Sequence, residues 1–397
     1  MVSHARAQQG WMNQSGATTN TLQSVSFVDA NNGTTVGEEG TILHTTNGGS
    51  TWVSQSSGVS SWLYGVSFTD VNNGIAVGDS GRILRTSDGG MTWELKTSGT
   101  LNRLTGISRV TSDVWIAIGY GGLILRSSDG GNTWISTPSG ATSHLQGVSF
   151  ANSERGLVVG TGGTILRTTS SGETWTQQVS DTNTALYSIS FVDTSTATAV
   201  GGAGIILRTS DGGDSWSTQT SGVPWPLFGA GFSSMNTGTA VGMFGIVLHT
   251  TNGGVDWTLQ TSGVFDVLWS VSFVNANIGT TVGNNGTILR TTTGGIPTGV
   301  EDLSQNDRLP NQFFLSQNYP NPFNPTTTIQ FIIPHTQDVV LKIFDVSGNE
   351  IAELINGRKT PGTYSVMWNA QGSPTGVYYY TLRGENILET RKLIYMK

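Results

Sequence analysis

The chain has no cysteine, and only 11% of its 397 residues are charged. The first absence excludes disulfides, thiolate zinc sites and a thiol nucleophile in any compartment. Lysine is nearly missing too, Lys96 being the sole one before residue 300. With a net charge of -7, the chain is not expected to partner nucleic acid or an anionic membrane surface. No apolar run approaches the roughly 18 residues a membrane helix needs, so no transmembrane segment is expected. The five histidines (4, 44, 144, 249, 335) show no His-x-x-x-His spacing, and there is no Gly-x-Ser-x-Gly elbow. Neither a metal nor a cofactor is expected.

What is abundant is glycine, 54 residues of it, with much Ser, Thr and Asn. That mixture favours short strands joined by tight turns over long helices. A strict period organises it. Trp52, Trp93, Trp134, Trp175, Trp216 and Trp257 stand 41 residues apart, and the same offset carries Leu63 to Leu268 and Gly37 to Gly283. Within one period, Leu63–Phe68, Gly74–Val77, Arg82–Thr86 and Thr92–Lys96 read as strands. Four strands in about 40–45 residues make a β-propeller blade. Seven copies predict an all-β, seven-bladed β-propeller over residues 11–298.

The last copy, TTTGGIPT at 291–298, lacks the tryptophan that ends TSDGGMTW at 86–93. Seven periods before Thr298 stands Trp11, in WMNQSG, a segment like WVSQSSG at 52–58. The N-terminal strand is therefore expected to complete the last blade, which would close the ring and remove an open sheet edge. Ahead of it, Ala5-Arg6-Ala7 has the small-x-small pattern of a signal-peptidase site without the apolar stretch that should precede it. Residues 1–10 read either as a tail or as the remnant of an export signal lying upstream of an internal Met1.

The turn Thr86-Ser87-Asp88-Gly89-Gly90-Met91-Thr92-Trp93 matches the Asp-box, a repeat first associated with bacterial neuraminidases. Asp129 and Asp211 occupy the equivalent place, while Asn47, Asn252 and Ser170 replace the aspartate elsewhere. A short side chain there can accept backbone N–H groups within the turn, so these residues read as structural. Residues 11–298 as a whole resemble the photosystem II assembly and stability factor propellers, through Ala-Val-Gly-x-x-Gly-x-Ile-Leu-Arg-Thr-x-Asp-Gly-Gly-x-Thr-Trp. That resemblance implies a fold and leaves function open.

A polar linker (299–312) precedes an expected Ig-like β-sandwich (313–397) with strands at Val339–Phe344, Gly362–Trp368, Gly376–Arg383 and Arg391–Met396. Gln317-Asn318-Tyr319-Pro320-Asn321-Pro322-Phe323-Asn324-Pro325, Phe331, Pro334, Gly348, Trp368, Gly376-Val377-Tyr378 and the basic-apolar end at Lys397 resemble the type A C-terminal sorting domain of the type IX secretion system. The resemblance implies export by that machinery, as a secreted or outer-surface protein, and argues against photosystem assembly.

Candidate functional residues fall into three groups. His44, Arg85, Arg126, Arg167, Arg208, His249 and Arg290 recur one per blade, either packing between blades or stacking on a nearby tryptophan, or as a basic ring for an acidic partner. Trp62, Tyr64, Tyr120, Tyr187, Trp225, Phe228, Phe244 and Trp269 belong to loops expected on one face, where aromatic side chains stack on sugars or anchor peptides. The other reading has half of them filling the channel or covering blade edges. Glu38, Glu39, Asp79 and Asp266 share these loops, and a pair of carboxylates about 5–10 Å apart could hydrolyse glycosides. A neuraminidase is not expected, since the nearest Arg-Ile-Pro match, Arg308-Leu309-Pro310, lies in the linker. The expected role is a non-catalytic binding or assembly module for a polysaccharide or protein ligand; the alternatives are a secreted glycoside hydrolase and a structural surface-layer protein.

Overall fold

The computed structural model describes residues 10–297, 313–318, 320–385 and 388–396. The Ala5-Arg6-Ala7 site, the 299–312 linker with Arg308-Leu309-Pro310, and Tyr319 and Lys397 of the sorting motif lie outside them. The chain divides into two compact units, Met1–Gly299 and Val300–Lys397. Among the described residues there is no α-helix, only strands and three-residue 3-10 turns.

The first unit is a ring of seven four-stranded antiparallel sheets. Blade 2 shows the pattern: Leu63–Phe68 innermost, then Gly74–Gly78, Ile83–Thr86 and the outer Glu94–Lys96. Blades 1 and 3 to 7 repeat it at the 41-residue offset. The seventh is completed from the other end of the chain, with Met12 opposite Arg290 and Asn13 opposite Leu289. Trp11 is 1% exposed and packs edge-on to Phe273, where a tryptophan from the last copy would have stood. The period-based expectation of ring closure therefore holds.

Along the second strand of each blade every residue is buried, in blade 2 Ile75 and Val77 facing the following blade and Ala76 the preceding one, so the core is a set of inter-blade layers. Ile75, Val77 and Ile83 of blade 2 pack with Leu104, Ile107, Ala117 and Leu125 of blade 3. Around the axis the inner strands approach backbone to backbone. A Cβ on Gly147 would lie 3.0 Å from the Ser188 Cα. Serine hydroxyls bridge the same seam, Ser24 Oγ accepting from the Val66 N–H (3.2 Å) and Ser188 Oγ from the Ala230 N–H (3.2 Å).

The second unit is a sandwich of a three-stranded sheet (Phe314–Leu315, Thr326–Ile333, Gly362–Asn369) and a four-stranded one. The latter runs Glu350–Lys359, Gln337–Asp345, Gly376–Arg383, Leu388–Tyr395 in spatial order. Thr326–Ile333 and Glu350–Lys359 were not foreseen. The second is an edge strand with little apolar alternation, so its sequence carries a weak strand signal. The proline-asparagine motif clasps the last strand: Phe323 N–H donates to Ile394 O and Met396 N–H to Phe323 O (both 3.0 Å). Asn321 Oδ1 accepts from the Ile394 N–H (2.8 Å), while Phe323 packs against Trp368 and Tyr395.

Candidate functional site

Each inner strand carries one irregularity. The pairing register of blade 2 slips between Leu63 and Gly65, leaving Tyr64 as the extra residue. The same slip recurs in the other six blades and leaves Gln23, Thr105, Gln146, Tyr187, Phe228 and Trp269 as extra residues. A β-bulge re-aims a side chain and interrupts the ladder. Here seven bulges line one cavity of about 510 Å3 at the channel mouth, one residue from each blade.

The ring is two-sided. Blades 5, 6 and 7 contribute a contiguous aromatic arc, with centroids of Tyr187 and Phe228 5.2 Å apart and of Phe228 and Trp269 4.4 Å apart. Trp269 Nε1 donates to Asn284 Oδ1 (2.7 Å), which fixes the indole. Blades 1, 3 and 4 contribute amides and a hydroxyl. Thr105 Oγ1 donates to Leu145 O (2.7 Å).

On the polar side, a stacked column runs across blades 2 to 4. Trp62 stacks on Tyr64 (5.9 Å), the Arg103 guanidinium lies 4.5 Å from the Tyr64 ring centre and 5.1 Å from that of Tyr120, and Tyr120 stacks on His144 (4.0 Å). Arg103 Nε donates to Asp79 Oδ1 (2.7 Å), and Tyr64 Oη donates to Asp79 Oδ2 (3.2 Å). Burial pushes the Tyr64 phenol up to about 12, so it remains a neutral donor at physiological pH. Burial opposes the Arg103 charge, but the hydrogen bond to Asp79 and the neighbouring tyrosines outweigh it and raise its pKa.

Of the eight aromatic candidates, the structure brings Tyr64, Tyr120, Tyr187, Phe228 and Trp269 to the cavity wall. Trp62 backs Tyr64 from outside it. Trp225 and Phe244 form a separate edge-on pair, 5.1 Å apart. Phe244 sits at φ +59°, an uncommon conformation for a bulky residue, at a turn position that blades 3 and 4 fill with Gly121 and Gly162. Sequence reasoning missed Gln23, Arg103, Thr105 and Gln146. All but Arg103 share the offset of Tyr64, which the period could have revealed.

The four candidate carboxylates are placed differently. Asp79 is committed to Arg103 and Tyr64. Asp266 accepts from Asn285 Nδ2 (2.7 Å) and Thr287 Oγ1 (2.8 Å). Glu38 accepts from the Thr21 N–H (3.0 Å), and Glu39 is exposed. None of the four lines the cavity. Among the described residues, no three His, Asp or Glu side chains cluster to hold a metal ion.

The arginines of the seven-membered ring bridge successive blades, whereas its two histidines bond within their own. Arg85 Nε donates to Gly130 O (2.7 Å), Arg126 Nε to Ser171 O (3.0 Å) and Arg208 Nη2 to Met235 O (2.6 Å), each in the following blade. Arg167 pairs with Asp214, and Arg290 reaches Ala30 across the ring closure. Where guanidinium stacking occurs it is on phenylalanine, Arg208 on Phe232 and Arg290 on Phe27, rather than on tryptophan. His44 and His249 contact Thr34 and Thr239 inside their own blades, and burial lowers both pKa values.

The Asp-box residues close their own turns. Asp88 Oδ1 accepts from the Thr92 N–H (2.9 Å) and Thr86 Oγ1 (2.8 Å), and Thr86 Oγ1 accepts from the Gly90 N–H (2.8 Å). Asp129 and Asp211 make the same set, and Asn47 and Asn252 reproduce its acceptor half. Hydrogen bonds from Thr92 hold the Asp88 carboxyl down at about 2.

The family model of the photosynthesis system II assembly factor YCF48 matches residues 54–142 and 139–260, together more than half the chain. The secretion system C-terminal sorting domain matches residues 317–396. No curated protein matches the chain. Among solved structures, "YCF48 bound to D1 peptide" is 22% identical, covering 74% of this chain and all of that one at a TM-score of 0.62. YCF48 from Cyanidioschyzon merolae is 19% identical, covering 71% and 98% with a TM-score of 0.61. The GH74 enzyme of Niastella koreensis is 15% identical, covering 98% of this chain and 75% of that one with a TM-score of 0.55. At these identities the likeness is one of fold. The chain belongs to the YCF48-type assembly-factor propeller family and carries a type IX secretion sorting domain, which marks it for secretion or the cell surface.

Proposed function

We propose that the exported propeller is a non-catalytic binding or assembly module whose ligand contacts the channel mouth. The observation that carries this reading is the ring of seven bulged residues converging on one cavity of about 510 Å3. That volume lies in the roughly 300–1,000 Å3 range of small-molecule sites, and its mixture of aromatic area with a few oriented polar groups is what such sites use. The solved relative bound to a D1 peptide lends support, as a propeller of this fold that holds a ligand.

The glycoside-hydrolase alternative needs one carboxyl able to protonate a leaving group and a second to act as base or nucleophile. Asp79 and Asp266 instead spend both oxygens on neighbouring side chains, which weighs towards binding. The test is retention of the full-length protein on polysaccharides, cell-wall fragments and peptides, with released reducing ends measured in the same wells. Retention without release is expected, and Trp269→Ala should weaken it at least tenfold. Release of reducing ends would overturn the reading.

A further inference from the structure

Charge, asymmetry and access at the mouth together specify a ligand class. The cation on the cavity wall is Arg103, and Asp79 neutralises it at 2.7 Å. An anionic group therefore meets no uncompensated positive charge, and a cationic group no free carboxylate on the wall. Polar capacity is nevertheless high. Arg103 commits Nε to Asp79 and Nη1 to Tyr120 Oη (3.3 Å), leaving its other guanidinium N–H groups as further donors. The Gln23 and Gln146 amides, each with a carbonyl acceptor and an NH2 donor, line the same wall. A purely apolar ligand would bury these groups without hydrogen-bond partners, which opposes its binding.

The apolar half is as specific. Tyr187, Phe228 and Trp269 form one arc, facing the polar half across the axis because blades 5 to 7 are consecutive in the ring. A pyranose carries both requirements on one small ring, an apolar C–H face and a rim of uncharged hydroxyls that donate and accept. Seven inner strands surround the opening, so a polymer is admitted by its end or by a branch and not along its length. A peptide that binds by strand addition, by contrast, gains its affinity by pairing with a sheet edge. The innermost strands here offer no such edge, being paired on one side and packed backbone to backbone on the other. The stacked column from Trp62 to His144 holds Arg103 in place before binding, which cuts the ordering cost.

We propose that the channel mouth binds the terminal or branch sugar of a neutral polysaccharide. Its apolar face would seat on Trp269 and Phe228, with its hydroxyls against Arg103, Gln146 and Gln23. This inference rests on the binding reading given above.

The test titrates the full chain with oligosaccharides of neutral glucans, xylans, mannans and galactans, with oligogalacturonates, and with a pool of uncharged peptides. Binding is read by tryptophan fluorescence and by saturation transfer to the ligand. At least one neutral series should bind, with saturation strongest at the terminal ring. Trp269→Ala should weaken it tenfold or more and Gln146→Ala several-fold, with both variants checked for an unchanged melting transition. Gln146→Ala keeps the test valid should Trp269→Ala fail to fold. Tighter binding of the oligogalacturonates would overturn the charge argument. Peptide binding sensitive to Gln146→Ala, with no sugar bound, would overturn the sugar assignment and leave the binding reading standing. If no class binds the folded protein, both fail.

Discussion

Asp88 shows how much of this protein is local chemistry. Its carboxylate takes an N–H and a hydroxyl from Thr92 four residues on, and those bonds lower its pKa from 3.8 to about 2. Asp129 is held at about 2 in the same way, chiefly by Thr133, and Asp211 is lowered by Ser215. A carboxyl with a depressed folded-state pKa favours folding above its unfolded value, and that contribution is lost as pH falls through the folded value. Stability from these turns should therefore drain between about pH 4 and about pH 2. The triple variant D88N/D129N/D211N should keep the turns, as Asn47 and Asn252 do in equivalent places, but be less stable than the parent at neutral pH, where the ionised carboxylates contribute. It should lose fewer degrees of melting temperature over that acid interval, read by circular dichroism. A steeper loss than the parent's would show that the charge is not the source. These bonds stay inside eight residues, which is why this role was readable from the motif.

At the scale of the strand, the decisive device is the bulge, and it was hidden. Gln23, Tyr64, Thr105, Gln146, Tyr187, Phe228 and Trp269 obey the 41-residue offset as strictly as the leucine before each of them. The leucine position keeps one residue type because it faces the inter-blade core. The bulged position changes type from blade to blade because it faces the cavity, so a search for repeated residues passes over it. Arg103 was harder still. Its place in the site follows from contacts with Tyr64 and Asp79 of the previous blade, which no spacing within one repeat displays.

Two strand-level predictions follow from packing. Trp11→Ala removes a side chain that is 1% exposed and bonded through Nε1 to Gln260 Oε1 (2.9 Å). It should cost about 3–5 kcal/mol of propeller stability in urea unfolding. A loss below about 1 kcal/mol would mean that the closing strand contributes little. Gly147→Val places side-chain atoms where a Cβ alone already meets the Ser188 Cα at 3.0 Å. It should destabilise by at least about 1–3 kcal/mol through overpacking, measured in the same assay.

On the scale of the molecule, a seven-bladed ring is joined to a sandwich that carries the export address. Removing residues 313–397 should leave the propeller's circular-dichroism spectrum intact while the protein accumulates inside the producing cell. The parent should reach the medium or the outer surface. Export of the truncated chain at the parent's level would remove the sorting role. Among the described residues, the buried sandwich core runs from Leu315 to Tyr395, a cluster of its own, which supports folding apart from the propeller.

The sequence alone determined the blade count, the chain-end closure and the sorting module. Each rests on periodic burial or on a long contiguous motif, and both are written along the chain. The tertiary structure decided which loop residues share a wall. It took five of eight aromatic candidates to the mouth, put the arginine ring between blades, and tied Asp79 to Arg103. The reason is physical: a propeller site is assembled from one residue per blade, 41 positions apart, and side-chain direction there is set by a bulge and by the neighbouring blade.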